Sequence, residues 1–199
     1  MGKPLSEMTL EELWRLFPIY LTEQDARWGQ WFADERERLC AVLPPDFCIS
    51  HIGSTAIHTI RAKPIVDILV EIPEEAAMDE ARRVLESNGY LCMSQSESRL
   101  SFNRGYTEEG FAERVFHLHL RRMGDNGELY FRDYMNGRPA LAKQYEELKL
   151  SLWKRYEFNR DAYTEAKGSF VKACTDQAKR AYPGRYDRKQ KTAAEAGQE

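Results

Sequence analysis

Little in this 199-residue chain suits a zinc knuckle, a membrane or bare nucleic acid. It has four cysteines, Cys40, Cys48, Cys92 and Cys174. None forms a CxxC, and their spacing matches no zinc knuckle. No apolar run approaches the ~20 residues that span a bilayer. The first thirty residues hold no apolar signal core. On this reading the cysteines are reduced and the chain is cytoplasmic. The formal net charge is −3, which speaks against general nucleic-acid binding through phosphate contacts. Neither a P-loop nor a GxSxG nucleophile turn occurs.

Against these absences stand 42% hydrophobic and 31% charged residues, a composition of soluble globular chains. The length suits one domain with extensions. Residues 1–18 read as an N-terminal helical segment, 19–182 as the domain and 183–199 as a polar, disordered tail. Charge is uneven along the chain. Residues 138–182 carry ten Lys or Arg against six Asp or Glu. That basic part either faces a phosphate or forms a solvated helix face.

Periodicity predicts a helix over 9–17 and a second one capped by Thr22 and stopped by Pro44-Pro45-Asp46. Residues 47–52 read as a strand. Residues 64–72 form an apolar run with one early Asp, the pattern of a central strand covered on both faces. A helix over 75–88 ends at Asn88-Gly89. Strands over 90–93 and 99–104 follow, then a loop over 105–112. Residues 114–121 alternate, with Val115, His117 and His119 on one face and Phe116, Leu118 and Leu120 on the other. Helices follow from Glu128, the last running over 160–182 to Pro183-Gly184. The expected class is α/β or α+β: a mixed sheet flanked by helices, with a C-terminal helical layer.

The chemistry concentrates in His51-Ile52-Gly53-Ser54-Thr55 and Lys63-Pro64-Ile65-Val66-Asp67. A strand delivers a Gly-Ser turn and a short helix leaves it. Gly53 lets backbone approach a ligand. The hydroxyls of Ser54 and Thr55 and the free N–H groups of the turn suit an anion. Asp67 stands fourteen residues after Gly53 inside an apolar strand. A carboxylate there must be paired, hydrogen-bonded or metal-bound. It either binds a ligand or metal, or caps the Gly53-Ser54 turn or pairs with Lys63. Lys63 alternatively holds a phosphate as a point charge. His117 and His119 are either a structural pair or ligands. His51 reads as a residue that fixes the turn, and His58 as a surface residue. Arg99 and Arg104 are candidate anion contacts.

This layout resembles the nucleotidyltransferase superfamily, with its Gly-Ser turn and an Asp-x-Asp pair on the next strand. The match is closer to the GrpB family. It is carried by His51-Ile52-Gly53-Ser54-Thr55-Ala56, by Ala62-Lys63-Pro64-Ile65-Val66-Asp67-Ile68-Leu69-Val70 and by Arg99-Leu100-Ser101-Phe102. Phe116-His117-Leu118-His119-Leu120, Phe131-Arg132-Asp133-Tyr134 and Tyr163-Thr164-Glu165-Ala166-Lys167 add to it, as does Asp25-Ala26-Arg27-Trp28. The resemblance covers roughly residues 18–182. It implies a nucleotidyltransferase-type pocket for a nucleotide or other phosphorylated small molecule, held by Gly53, Ser54, Thr55, Lys63, Arg99 and Arg104. It implies metal-assisted nucleotidyl or phosphoryl transfer through Asp67 and His119. A divalent metal, Mg, Mn or Zn, would sit on Asp67, His117 and His119. One position departs from the pattern. Leu69 stands where the second carboxylate belongs, and Glu71 on the same face is about 13 Å along the strand. That departure supports the alternative of a catalytically inert module binding a nucleotide or a coenzyme A-related ligand.

Overall fold

A computed structural model describes residues 3–187. The chain begins with a single 3-10 turn at Leu5–Glu7 and helix α1, Leu10–Leu16. Thr9 caps α1 in a capping box with Glu12. Helix α2 spans Arg27–Cys40 and leads into strand β1, Cys48–Ile52. Strand β2, Val66–Ile72, helix α3, Met78–Ser87, and strands β3, Leu91–Gln95, β4, Arg99–Thr107, and β5, Gly110–Arg122, complete the sheet. Helices α4, Gly127–Asn136, α5, Pro139–Tyr156, α6, Arg160–Ala166, and α7, Gly168–Ala181, follow.

The five strands lie in the order β1-β2-β5-β4-β3. β2 and β5 are parallel, and every other neighbouring pair is antiparallel. This is the expected mixed sheet. β2 alternates as pleating requires. Val66, Ile68, Val70 and Ile72 enter the main core with Trp28, Leu39, Leu85, Phe102, Leu118 and Leu120. Helices α2 and α3 supply the opposite wall of that core. Asp67, Leu69 and Glu71 point the other way, toward the C-terminal helices. There Ile57, Ile60, Tyr130, Met135, Tyr145 and Cys174 form a second core.

Several expected boundaries move. Thr22 does not cap α2. It bridges to Ala62 through two backbone hydrogen bonds of 2.9 and 3.1 Å. Asp25 takes over at the helix start, where its Oδ1 accepts from the Arg27 N–H at 2.9 Å. The segment over 105–112 is not a loop, because β4 and β5 continue through it as a hairpin. Gly105, at φ +90°, accommodates a bulge between Arg104 and Tyr106. A Cβ on Gly105 would stand 2.3 Å from the Arg114 carbonyl oxygen. The expected helix over 160–182 breaks at Lys167, which ends α6 and precedes α7. Residues 183–187 are packed rather than loose. The Tyr186 N–H donates to the Tyr130 hydroxyl at 3.3 Å, and its hydroxyl donates to Asp133. Residues 188–199 of the expected tail lie outside the described residues.

The main core holds one buried carboxylate, Glu35. It accepts from the Tyr90 hydroxyl at 2.6 Å, from Arg38 at 2.8 Å and from Arg104 at 2.5 Å. Burial alone would raise its pKa, but these partners hold it below the ordinary carboxylate value. Removing the carboxylate leaves two half-buried guanidinium groups and a buried hydroxyl short of a partner. Glu35→Ala is expected to cost about 2–3 kcal/mol of stability. Urea unfolding should show this as a lowered midpoint at unchanged slope.

Candidate functional site

The site lies on the sheet face that carries Asp67, beneath the C-terminal helices. Its floor comes from β1, β2 and β5. Parallel pairing places Asp67 beside His117 and Leu69 beside His119. The Asp67 Oδ1 lies 3.3 Å from His117 Nδ1 and 3.8 Å from His119 Nε2. Despite burial, these rings keep the carboxyl far below the usual carboxylate range. Asp67 is therefore ionised at neutral pH. Burial pushes the His117 pKa down, with Asp67 opposing, so this ring is neutral at pH 7. Its Nδ1–H faces Asp67, and its Nε2 accepts from the Tyr106 hydroxyl at 2.7 Å. That hydroxyl in turn accepts from Arg160 Nη2 at 2.6 Å. The bulge at Gly105 makes this relay possible. Strict alternation would leave Tyr106 on the face of Arg104, toward α2.

The Gly-Ser turn closes directly over Asp67. Gly53 has φ +72° and ψ −171°, a conformation that is essentially glycine's alone. A Cβ on Gly53 would stand 2.1 Å from the Asp67 Oδ2. A single 3-10 turn, Ser54–Ala56, leaves it. His51 fixes the turn, as expected. Its Nε2 lies 2.9 Å from the Thr55 Oγ1, and its ring stacks on Phe32 at 4.8 Å. Burial lowers its pKa to about 4, so it stays neutral. Arg132 on α4 donates to the His51 carbonyl oxygen at 2.7 Å and ties the turn to the helical layer.

Above this floor is a cavity of about 530 Å³. Gly53, Ser54, Lys63, Asp67, Arg99, His117 and His119 line it. Two predicted residues do not. Thr55 is buried and turned to His51. Arg104 lies on the opposite sheet face, held by Glu35. Its place beside Leu100 and Phe102 in the alternation already indicates that face. Arg99 reaches the cavity rim but is engaged by Asp125 through two hydrogen bonds of 2.6 and 2.7 Å.

The far wall, built from α5, α6 and α7, adds residues not singled out from the sequence. Lys149, Arg160, Lys167 and Lys179 all line the cavity from there. The Nζ atoms of Lys63 and Lys167 lie 5.8 and 5.0 Å from the centre of the Tyr163 ring. Burial, with repulsion from Arg160 and Lys167, lowers the Lys63 pKa to about 7. Burial likewise lowers Lys149 to about 7, and its ammonium donates to the Arg61 carbonyl oxygen. Among the described residues, Lys63, Arg160 and Lys167 have no carboxylate in ion-pair contact. The cavity's acids differ. Asp67 faces two imidazoles, Asp125 pairs with Arg99 and Arg121, and Glu128 pairs with Arg121. The sequence signals this wall through the excess of ten basic over six acidic residues in 138–182 and through the Tyr163-Thr164-Glu165-Ala166-Lys167 motif.

The expected metal set of Asp67, His117 and His119 does come together, but as a hydrogen-bonded group. Both ring nitrogens of His117 are engaged. Leu69, at the position of the second carboxylate, is fully buried against Ile52 and Leu129, with Tyr186 packed on them. Glu71 turns away to the Gly124 N–H and the Asn126 amide. Among the described residues, no group of three or more His, Cys, Asp or Glu side chains is arranged to hold a metal ion. These residues do not fit a two-magnesium centre, which needs several oxygen ligands.

The fold is nucleotidyltransferase-like. Part of the Cid1 poly(U) polymerase bound to Mg 3′-dATP superposes with a TM-score of 0.51 at 13% identity, covering 79% of this chain and 51% of that one. That likeness concerns the fold alone. The GrpB protein profile matches residues 18–177, and the chain belongs to the GrpB family. Conserved protein GrpB from Enterococcus faecalis superposes with a TM-score of 0.70 at 28% identity, over 82% of this chain and 99% of that one. The UPF0157 protein YqkA of Bacillus subtilis (strain 168) is 31% identical over 183 residues, 88% of this chain. This chain spans only 52% of that relative's length. The glutamate-rich protein GrpB of Alkalihalophilus pseudofirmus is 31% identical over 160 residues, covering 77% of this chain and 91% of its own. Among the described residues, no helix is long and apolar enough to cross a membrane.

Replacing Gly53 tests the turn. Gly53→Ala forces a Cβ into the Asp67 carboxylate and a side chain into glycine's conformation. The backbone strain alone is expected to cost about 1–3 kcal/mol, read as a lowered melting temperature. Ser54→Ala should melt close to wild type.

Proposed function

We propose that this protein binds a phosphorylated small molecule, with a nucleotide as the first candidate, in the cavity between the Gly53-Ser54 turn and the α6–α7 junction. One observation carries the reading: Lys63, Arg160 and Lys167 line one wall of the cavity with no carboxylate in ion-pair contact among the described residues. Three cations gathered against a half-enclosed wall repel one another. The lowered Lys63 pKa expresses that cost together with its burial. A multiply charged anion relieves it. The cavity volume suits a nucleotide-sized ligand. Coenzyme A-related compounds fall in the same chemical class.

The Gly-Ser turn stands opposite this wall and supplies N–H groups and the Ser54 hydroxyl. Leu21, Ile52, Ile65 and Phe131 offer apolar surface for the uncharged part of the ligand. Metal-assisted transfer with Asp67 and His119 as reacting groups has the fold in its favour but lacks the second carboxylate. Ligand binding is therefore the reading the side chains support best.

The test is a thermal-shift and calorimetric titration of the full chain with ATP, CTP, GTP, UTP and coenzyme A. A ligand that binds the native state raises the melting temperature by mass action. Lys167→Ala should weaken the best ligand's affinity by about tenfold or more, the scale of one charge-assisted contact. Unchanged affinity in Lys167→Ala and Arg160→Ala, in folded protein, contradicts the reading. The pH dependence has a definite sign. Lys63 is protonated below about 7, so affinity should fall as pH rises from 6.5 to 8.5. Lys63→Met should flatten that slope.

A further inference from the structure

Resting on the phosphate reading, we propose that this pocket takes its phosphorylated ligand free of divalent metal, the lysine and arginine side chains of the α6–α7 wall supplying the positive charge.

The argument starts from oxygen ligands. Magnesium demands an octahedron of hard oxygens and in enzymes leans on carboxylates beside the substrate's phosphates. Of the three described acidic side chains lining this cavity, Asp67 turns its Oδ1 to two imidazoles, at 3.3 and 3.8 Å. Asp125 is held by Arg99 and Arg121, and Glu128 by Arg121 at 2.8 Å. A divalent cation would have to break one of these pairs or make do with the Asp67 Oδ2, a single carboxylate oxygen where magnesium leans on several oxygen ligands. The position beside Asp67 where a second carboxylate would reach the same ion is filled by hydrocarbon. Leu69 is packed with Ile52 and Leu129 under Tyr186. Tyr186 is itself held in place, its N–H on the Tyr130 hydroxyl and its hydroxyl on Asp133. The plug is therefore built from four separate segments and buries the side chain at position 69 completely.

The cations show the reverse. Lys63 and Lys167 share the face of Tyr163. Arg160 is oriented by the hydrogen bond from its Nη2 to the Tyr106 hydroxyl, which leaves its other donors for a ligand. Such a wall attracts phosphate oxygens and repels a free divalent ion. Asp67 then has a different part to play. It holds His117, and through Tyr106 it positions Arg160, while its own negative charge opposes an anion nearby.

This gives a test in which the two readings fail separately. The probe is inorganic pyrophosphate, titrated calorimetrically into the full chain, once with EDTA and once with excess magnesium. Binding in EDTA that equals or exceeds binding in magnesium is the expected result. In EDTA, Asp67→Asn, whose amide oxygen still accepts from the His117 Nδ1–H and so keeps Arg160 in place, should bind pyrophosphate about threefold tighter or more, because an opposing charge is gone. Binding that appears only with magnesium, and is lost in Asp67→Asn, overturns the metal-free assignment and leaves the phosphate reading standing. No binding under either condition, in wild-type protein with an intact melting transition, overturns both. The comparison of EDTA with magnesium uses unaltered protein, so it does not depend on the variant folding.

Discussion

The structure is organised around a carboxylate that must be satisfied inside an apolar strand. Asp67 sits on β2 among Val66, Ile68 and Leu69, and burying its charge there without partners would be costly. The parallel register with β5 answers that demand by setting His117 opposite it and His119 two residues on. Closure of the Gly53 turn over the same carboxylate leaves no room for a side chain at position 53. Turn, strand pairing and histidine pair are thus one arrangement. A change in any of them reaches the others.

From this anchor, order passes to the basic wall of the cavity. Asp67 orients His117, His117 receives the Tyr106 hydroxyl, and Tyr106 receives Arg160. Arg132 ties the His51 carbonyl to α4, and its Nη2 donates to the Tyr186 hydroxyl at 3.2 Å. The strands contribute a floor in which Asp67, His117 and Tyr106 are linked in one chain, while the buried Nδ1 of His119 has no hydrogen-bond partner among the described residues. The C-terminal helices contribute Arg160 and Lys167, which have no carboxylate in ion-pair contact among the described residues. Net charge for the whole chain, at −3, conceals this separation.

Much of this was legible in the sequence, and the failures have physical causes. The spacing of Gly53 and Asp67 and the alternation of His117 and His119 locate the floor, because strand periodicity decides which side chains share a face. The mixed sheet follows from the order of apolar runs. The bulge at Gly105 was not legible: two glycines and two glutamates look like a loop, whereas Gly105 admits an extra residue and the hairpin continues. That misreading hid Tyr106 and Arg160. Arg104 shares its strand parity with Leu100 and Phe102, which sets it on the core face beside Glu35 despite its charge. Lys149, Arg160 and Lys167 lie about 95 to 115 residues beyond the Gly-Ser turn in the chain. Only tertiary packing brings them to it, and local pattern cannot show that.

The most direct measurement of the central claim is a crystal structure of the chain with bound pyrophosphate, grown with magnesium present. The account predicts phosphate oxygens within hydrogen-bonding distance of Lys63, Arg160 and Lys167, with the Asp67–His117 contact intact and Leu69 still covered by Tyr186. Phosphates bridged to Asp67 through an octahedral ion, with His117 displaced, would contradict it.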